Sequence, residues 1–517
     1  MARQFICTED TPVVQTKAGK VRGFILDGIY HYYGIKYADA RRFMMPEKVA
    51  PWEGIIDANS YGYVSPMLEP EPAMGDLMVP HRYWPKSEDC QYLNIWSPAI
   101  GEEAKKPVMV WLHGGGFAAG SSIEQVAYDG FNLCSFGDVV VVSINHRLNI
   151  LGYLDLSPYG EKYQNSGNAG NADLVAALQW IHDNIAAFGG DPDNVTLFGQ
   201  SGGGGKISSL LQTPAADGLF HKCIIMSGIA DGIMFQEGDS RPLIDGMLKE
   251  LGLTATEVDM LETLPYEQLA AAYNKVSPDI RAAGGYVGCA PVPNGYYVGD
   301  PRQVGFTKHA ATIPVMAGTV LAEFGMMMKI PYKHDLTAGQ QMQWVRDTYG
   351  DSAEQVAELF HKAYPEKCIA DAAVLDTFAR VPTCDFVEKK VSCSDVPTYN
   401  YVFSFEFPIG SGRVAWHCSD IPFAFHNTDK VVICNKPGVS DRLENQIATA
   451  WVNFAKYGDP NHAGLPKWPV CEPSKLYTMI LDEKCRVELN HDKELYAVAM
   501  KSVQKPPRKG KKLMVHR

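Results

Sequence analysis

What this 517-residue sequence lacks narrows its function first. It has no Cys-x-x-Cys pair, no His-x-x-x-His and no His-Glu-x-x-His, so neither a structural nor a catalytic zinc site has support. No apolar run approaches the length of a membrane span. There is no low-complexity tract, no internal repeat and no Gly/Ser-rich linker. A net charge of −12 with no basic stripe argues against nucleic acid as a partner. The amino terminus "MARQFICTEDTP" has no apolar core of a secretory signal. Twelve cysteines scattered from Cys7 to Cys485 therefore read as reduced, mostly buried small hydrophobes, and the expected location is cytoplasmic. The tail 506–517 is basic and reads as a solvated, mobile end.

What is present is a set of short, nearly continuous apolar runs at wide intervals: "PVMVWL" (107–112), "DVVVVSI" (138–144), "NVTLF" (194–198), "KCIIM" (222–226) and "IPVMAG" (313–318). Strands buried on both faces of a mostly parallel sheet look like this. Between the second and third runs, Leu174, Leu178, Ile181, Ile185 and Phe188 follow helical spacing until Gly189-Gly190-Asp191-Pro192 ends the helix. The alternation predicts right-handed crossovers and a doubly wound sheet. Stretches 235–280 and 335–395 carry helical patterns. They are expected to be cap-like insertions over the carboxyl ends of the strands, within a single domain spanning 1–505.

The stretch "VTLFGQSGGGGKISSLL" (195–211) admits two readings. A phosphate-binding Walker A loop ending at Gly205-Lys206 would need a first glycine at 200 and a hydroxyl at 207. Those positions hold Gln200 and Ile207, so that reading fails. A nucleophile turn needs Gly-x-Ser-x-Gly between strand and helix, and Gly199-Gln200-Ser201-Gly202-Gly203 fits every place. Serine becomes a nucleophile only when a histidine takes its proton and a carboxylate orients the histidine. N–H donors must also face the developing oxyanion. "WLHGGGFAAGSS" (111–122), directly after a strand run, supplies glycines of the kind that bring such N–H groups close.

The chain resembles the type-B carboxylesterases, the cholinesterase-like branch of the α/β hydrolases. The blocks that carry the resemblance run nearly end to end and include "TKAGKVRGF", "SEDCQYLNIWSP", "WLHGGGFAAGSS", "NHRLNILGYLDL", "GTVLAEFG", "AWHCSDIPFAF" and "WVNFAKYGDPN". The resemblance implies an α/β-hydrolase fold and ester hydrolysis through an acyl-enzyme, with no metal or organic cofactor. The partner would be a small-molecule ester. Ser201 then corresponds to the nucleophile, Glu323 to the acid and His417 to the base. Gly115, Gly116 and Gly202 correspond to the oxyanion donors. The chain order Ser, acid, His is that of the fold generally. Asp420 competes for the acid's role, being three residues from His417, but it follows the histidine in the chain.

Ser227 matches a position whose hydroxyl supports the acid–base pair, and it also reads as a helix N-cap after a strand. Arg42 and Glu88 match a structural ion pair. Phe117, Phe324, Trp416 and Phe423 flank these blocks and would line an acyl or alcohol pocket, although aromatics beside core strands are more often packing. Departures are informative. Secreted relatives pair the cysteine of "SEDC" with one upstream, yet here Ser65 stands opposite Cys90. Cys418 stands where a glycine often follows the histidine; it reads as packing, the alternative being a thiol that makes the site sensitive to thiol reagents. The spacing of Trp84 to Cys90 gives no support to choline esters. Two other readings remain at this stage: a catalytically silent binding module, and the same triad acting on amides or carbamates or as an acyltransferase. Substrate and oligomeric state are not legible.

Overall fold

The computed structural model describes residues 3–69, 81–232, 235–325 and 330–502. The basic stretch 506–517 lies outside the described residues. The main sheet has twelve strands. They are β1 (Phe5–Ile6), β2 (Phe24–Leu26), β3 (Ile29–Lys36), β4 (Tyr92–Ser97), β5 (Lys106–Leu112) and β6 (Val140–Ile144). They continue as β7 (Gly190–Gln200), β8 (Lys222–Met226), β9 (Val315–Val320), β10 (Thr398–Phe403), β11 (Tyr477–Leu481) and β12 (Arg486–Leu489). Across the sheet the order is β1-β2-β3-β4-β6-β5-β7-β8-β9-β10-β11-β12. The stretch from β6 to β11 is parallel throughout. Both flanks are antiparallel, β1 to β4 on one side and β12 on the other.

The longer helices are α1 (Ala169–Asn184), α2 (Gly202–Leu211), α3 (Arg241–Glu250), α4 (Tyr266–Ala282), α5 (Ala338–Tyr349) and α6 (Ala353–Ala363). They are followed by α7 (Arg380–Ser392), α8 (Ser440–Tyr457) and α9 (Lys493–Ser502). Because successive strand residues point to opposite faces, β5 serves two cores. Val108, Val110 and Leu112 pack with α1, α2 and α7, whereas Met109 and Trp111 pack with α8. Each fully buried aliphatic side chain contributes about 1.5–3 kcal/mol, so covering both faces is what holds the layers together.

Two ion pairs tie loops to this frame. Arg147, after β6, donates from Nε and Nη2 to Asp173 of α1 at 2.8 and 2.7 Å, and both side chains are fully buried. Arg42 grips Glu88 with Nε at 2.8 Å from Oε2, and its Nη1 donates to Leu261 and Leu264 carbonyls at 2.7 Å. The pair read from the sequence thus also anchors the first helical insertion.

That insertion, α3 and α4, packs on Ile150, Leu154 and Leu156, which follow the carboxyl end of β6. In the second stretch, α5 and α6 cover Leu321 and Ala322 just beyond β9, and α6 leans on α9. The expectation that all of 335–395 is an insertion needs correction at α7. Phe386, Val387 and Val391 sit in the core on one face of the sheet, and α7 packs directly on β9 and β10. It is the crossover helix between those strands.

The connection from β5 leads to β6 on one side, and the connection from β6 returns past β5 to β7 on the other. The reversal leaves a crevice at the carboxyl ends of β5 and β7, the place where open α/β sheets bind ligands.

Candidate active site

Two chain segments meet in that crevice. Ser201 follows the last residue of β7 and precedes α2, with φ 57° and ψ −127°. A non-glycine residue held there stores backbone strain of about 1–3 kcal/mol. The turn is fixed by Ser201 N–H donating to Met226 O on β8 at 2.8 Å and by Gly205 N–H donating to Ser201 O at 3.0 Å. The glycine run after the serine has a packing cause. A Cβ on Gly202 would lie 2.2 Å from Gly116 O and 2.4 Å from Gly116 N, and one on Gly203 would lie 1.9 Å from Leu112 O. Only bare backbone lets the start of α2 touch the end of β5 and the loop after it. That loop turns through Gly115 (φ 82°) and Gly116 (φ 63°), and a Cβ on Gly114 would sit 3.4 Å from the Ser201 Cβ. The free N–H groups at the start of α2, with the partial positive charge of a helix N-terminus, are therefore gathered beside the Gly115-Gly116 turn.

Glu323 follows β9, and its carboxylate is wholly inaccessible to solvent. Its Oε2 lies 2.5 Å from His417 Nδ1, and its Oε1 accepts from Val320 N–H at 3.1 Å. The backbone seconds the contact, because His417 N–H donates to Glu323 O at 2.6 Å. A carboxylate accepts only, so Nδ1 carries the proton and Nε2 presents a lone pair. Asp420 is placed elsewhere. Its Oδ2 accepts from the Tyr401 hydroxyl at 3.3 Å and its Oδ1 has no hydrogen-bond partner among the described residues. Burial first, then the Glu323 charge, pushes Asp420 up to about 7. Asp376 is also raised by burial and by Glu323, while backbone N–H groups of Phe378, Ala379 and Arg380 hold it.

The imidazole is held by two further side chains. Phe324 stacks on it with centroids 4.8 Å apart, and the Gln200 amide nitrogen lies 3.4 and 3.5 Å from its two ring nitrogens. Near-equal distances to both nitrogens put that amide over the ring rather than in its plane. The Cys418 thiol donates to Gln200 Oε1 at 3.0 Å, and burial pushes that thiol well up, so it stays protonated. Sequence reading left Gln200 unassigned, since the second place of Gly-x-Ser-x-Gly accepts many residues. Ser201 Oγ, partly exposed, makes no hydrogen bond among the described residues.

The other expected site residues divide. Phe324 is half exposed beside His417 and is the aromatic best placed to meet a ligand. Trp416 and Phe423 are corrected to core residues. Both are fully buried, Trp416 against Phe407 at 4.4 Å and Phe423 against Phe403 at 5.2 Å. Phe117 is buried too, edge-on to Tyr153 at 5.2 Å. Ser227 is not an N-cap, for no helix follows it before Arg241 among the described residues. Its hydroxyl is buried with no hydrogen-bond partner among the described residues. All twelve cysteines are free thiols. A cavity of about 1050 Å³ opens beside the Glu323 loop, lined by residues including Ala322, Gly325, Ile330, Phe407 and Arg413. Its wall includes none of Ser201, Glu323 and His417, so it adjoins the loop that carries the acid without opening onto the three side chains. Among the described residues no helix is long and apolar enough to cross a membrane.

Comparison with known proteins bears on the chain as a whole. The family model described as "Carboxylesterase family" matches residues 10–499. Para-nitrobenzyl esterase of Bacillus subtilis (strain 168) is 31% identical over 492 residues, covering 93% of this chain and 97% of that protein. A medium-chain fatty acyl-CoA hydrolase precursor of Anas platyrhynchos is 30% identical over 529 residues, covering 94% and 91%. Among solved structures, an esterase from anaerobic Clostridium hathewayi that can hydrolyze aliphatic aromatic polyesters superposes with a TM-score of 0.95. It is 54% identical, and the match covers 97% of this chain and 100% of that one.

Proposed function

The chain belongs to the carboxylesterase family and is a carboxylic ester hydrolase of the α/β-hydrolase fold, and from that premise we propose that it acts through an acyl-enzyme on Ser201. The observation that supports this most is the buried Glu323–His417 contact at 2.5 Å, in a crevice that also holds a strained serine at the head of a helix. His417 Nε2 takes the Ser201 proton as Oγ attacks the ester carbonyl. The Oγ–C bond forms, and the carbonyl electron pair goes to the oxygen. Gly115, Gly116 and Gly202 N–H groups hold that oxyanion. The imidazolium, steadied by Glu323, then protonates the leaving alcohol. Water repeats the sequence on the acyl-enzyme and releases the acid.

The substrate class we infer includes aryl and aliphatic–aromatic esters. The half-exposed Phe324 ring beside the base supports this, together with the polyester-hydrolysing neighbour at 54% identity. We read the chain as one hydrolase domain with α3–α4 and α5–α6 as its insertions. The free thiols support a reducing, cytoplasmic setting.

The experiment is labelling with a fluorophosphonate, followed by peptide mapping and a panel of aryl esters of increasing acyl length. Ser201 should be labelled stoichiometrically, and Ser201→Ala should lose both label and turnover by several orders of magnitude. Near-normal turnover in that variant would sink the mechanism.

A further inference from the structure

The lysine that closes the glycine run is buried under the loop that carries Gly115 and Gly116. Lys206 sits on α2, five residues after Ser201, and none of it reaches solvent. Its Nζ donates to His113 O at 2.8 Å and to Gly114 O at 3.4 Å. The Gly114 carbonyl also accepts from His113 Nδ1 at 2.9 Å. Gly114 C=O and Gly115 N–H belong to one peptide unit. Donors that draw electron density onto that carbonyl leave the N–H on the other side of the unit a stronger donor.

We propose that Lys206 is a positioning residue for the oxyanion donors. Its ammonium clamps the His113 and Gly114 carbonyls, aims the following N–H groups at Ser201, and polarises the Gly114–Gly115 peptide as negative charge develops. The inference rests on the Ser201 mechanism proposed above.

Three features of the surroundings favour this over simple packing. A buried ammonium whose acceptors are neutral carbonyls costs stability relative to an apolar side chain of the same length, so packing alone does not account for it. In a site shielded from water its charge acts on the loop with little screening. Its charge is also felt by the neighbouring imidazoles, with Arg147 adding a smaller effect on His146. His113 and His146, whose rings are 5.5 Å apart, are each held well below the ordinary histidine range by burial and then by Lys206. The charge facing Lys206 from the 121–125 loop is Glu124, which raises its pKa. Burial outweighs Glu124 and brings the lysine down to about 7. The clamp is thus charged below neutrality and loses its charge as pH rises through that value.

The test compares wild type with Lys206→Met and Lys206→Gln. It measures kcat and KM on a p-nitrophenyl ester and inhibition by an aryl trifluoromethyl ketone, which forms a tetrahedral oxyanion on the serine. In Lys206→Met, kcat should fall roughly tenfold to a hundredfold with KM within about threefold, and the ketone should weaken in step with kcat. Lys206→Gln, which keeps N–H donors without charge, should fall between. In wild type the ketone's affinity should decline above about pH 7, and the decline should be absent in Lys206→Met. An unchanged kcat overturns the proposal. So does a loss of stability with the ketone-to-substrate affinity ratio intact, which is what packing alone predicts. If Lys206→Met fails to fold, a flat wild-type ketone profile from pH 6 to 9 overturns it. Turnover surviving in Ser201→Ala would sink the mechanism itself. A dead Ser201→Ala beside an intact Lys206→Met would sink only the lysine's part.

Discussion

His417 Nδ1 lies 2.5 Å from Glu323 Oε2, whereas Asp420, three residues along the chain from the histidine, gives its carboxylate to the Tyr401 hydroxyl. Nearness in sequence and nearness to the ring nitrogen point to different acids here.

Glu323→Gln should therefore keep the fold and lower kcat on the order of a hundredfold or more, because the amide neither enforces the tautomer nor steadies the imidazolium. Asp420→Asn should cost less than about threefold. Steady-state kinetics on one aryl ester decide it. A severe Asp420→Asn beside a mild Glu323→Gln would reverse the assignment.

Asp420 should instead govern stability against pH. Its folded pKa, near 7, exceeds the unfolded carboxylate value, so its stabilising neutral form is fully present below the unfolded pKa and is lost as pH rises through 7. Asn mimics that neutral form. The Tm of Asp420→Asn minus that of wild type should be near zero at pH 4, rise towards pH 8 and then level off. The plateau should correspond to a few kcal/mol, on the order of the shift itself. Thermal scans across that range, showing a difference that shrinks with pH, would refute the argument.

Gly202→Ala should disable the site without unfolding the protein. The added methyl falls on the Gly116 backbone, so the two strands of the donor turn must part. A fall in kcat of about a hundredfold, with KM little changed, is expected from losing one oxyanion donor. Gly203→Ala, whose methyl meets Leu112 O, should lower Tm as well, because that contact lies against the end of β5. Kinetics and calorimetry on both variants separate the two effects.

Asp173→Ala should destabilise by about 3–5 kcal/mol, since it strands the Arg147 guanidinium in a solvent-free site. The double change Arg147→Met with Asp173→Leu should recover much of that loss. Denaturant unfolding measures both. If the double variant proves no better than the single, the penalty does not arise from uncompensated charge.

The parts of this architecture written in short-range pattern were legible in the sequence. The parallel strands appear as unbroken apolar runs because both of their faces are covered. The serine turn appears as Gly-Gln-Ser-Gly-Gly because its geometry excludes other side chains. The amino-terminal strands were not visible. Ile29–Lys36 mixes buried and half-buried positions at the flank of the sheet, so it lacks the unbroken run that marked the others. Helix α7 was taken for part of an insertion because buried and exposed positions intermix along it, with Lys390 buried to reach the Ala310 and Ala311 carbonyls. Glu323 and His417 were placed by resemblance, since nothing in their spacing of 94 residues predicts contact. Trp416 and Phe423 were misjudged for a simpler reason. Trp416 adjoins His417 but faces the opposite way, into the core, and Phe423 lies on a short helical turn, Ile421–Ala424, whose residues are all buried.

The left-handed backbone at Ser201 has a bearing on how such a protein changes over generations. Glycine adopts that conformation freely, so Ser201→Gly should melt higher than wild type while losing the reaction. A population of variants selected for heat resistance alone would be drawn away from the nucleophile. Directed evolution of this scaffold for thermostability needs an activity screen at every round, or it will return a sturdier, inert binder.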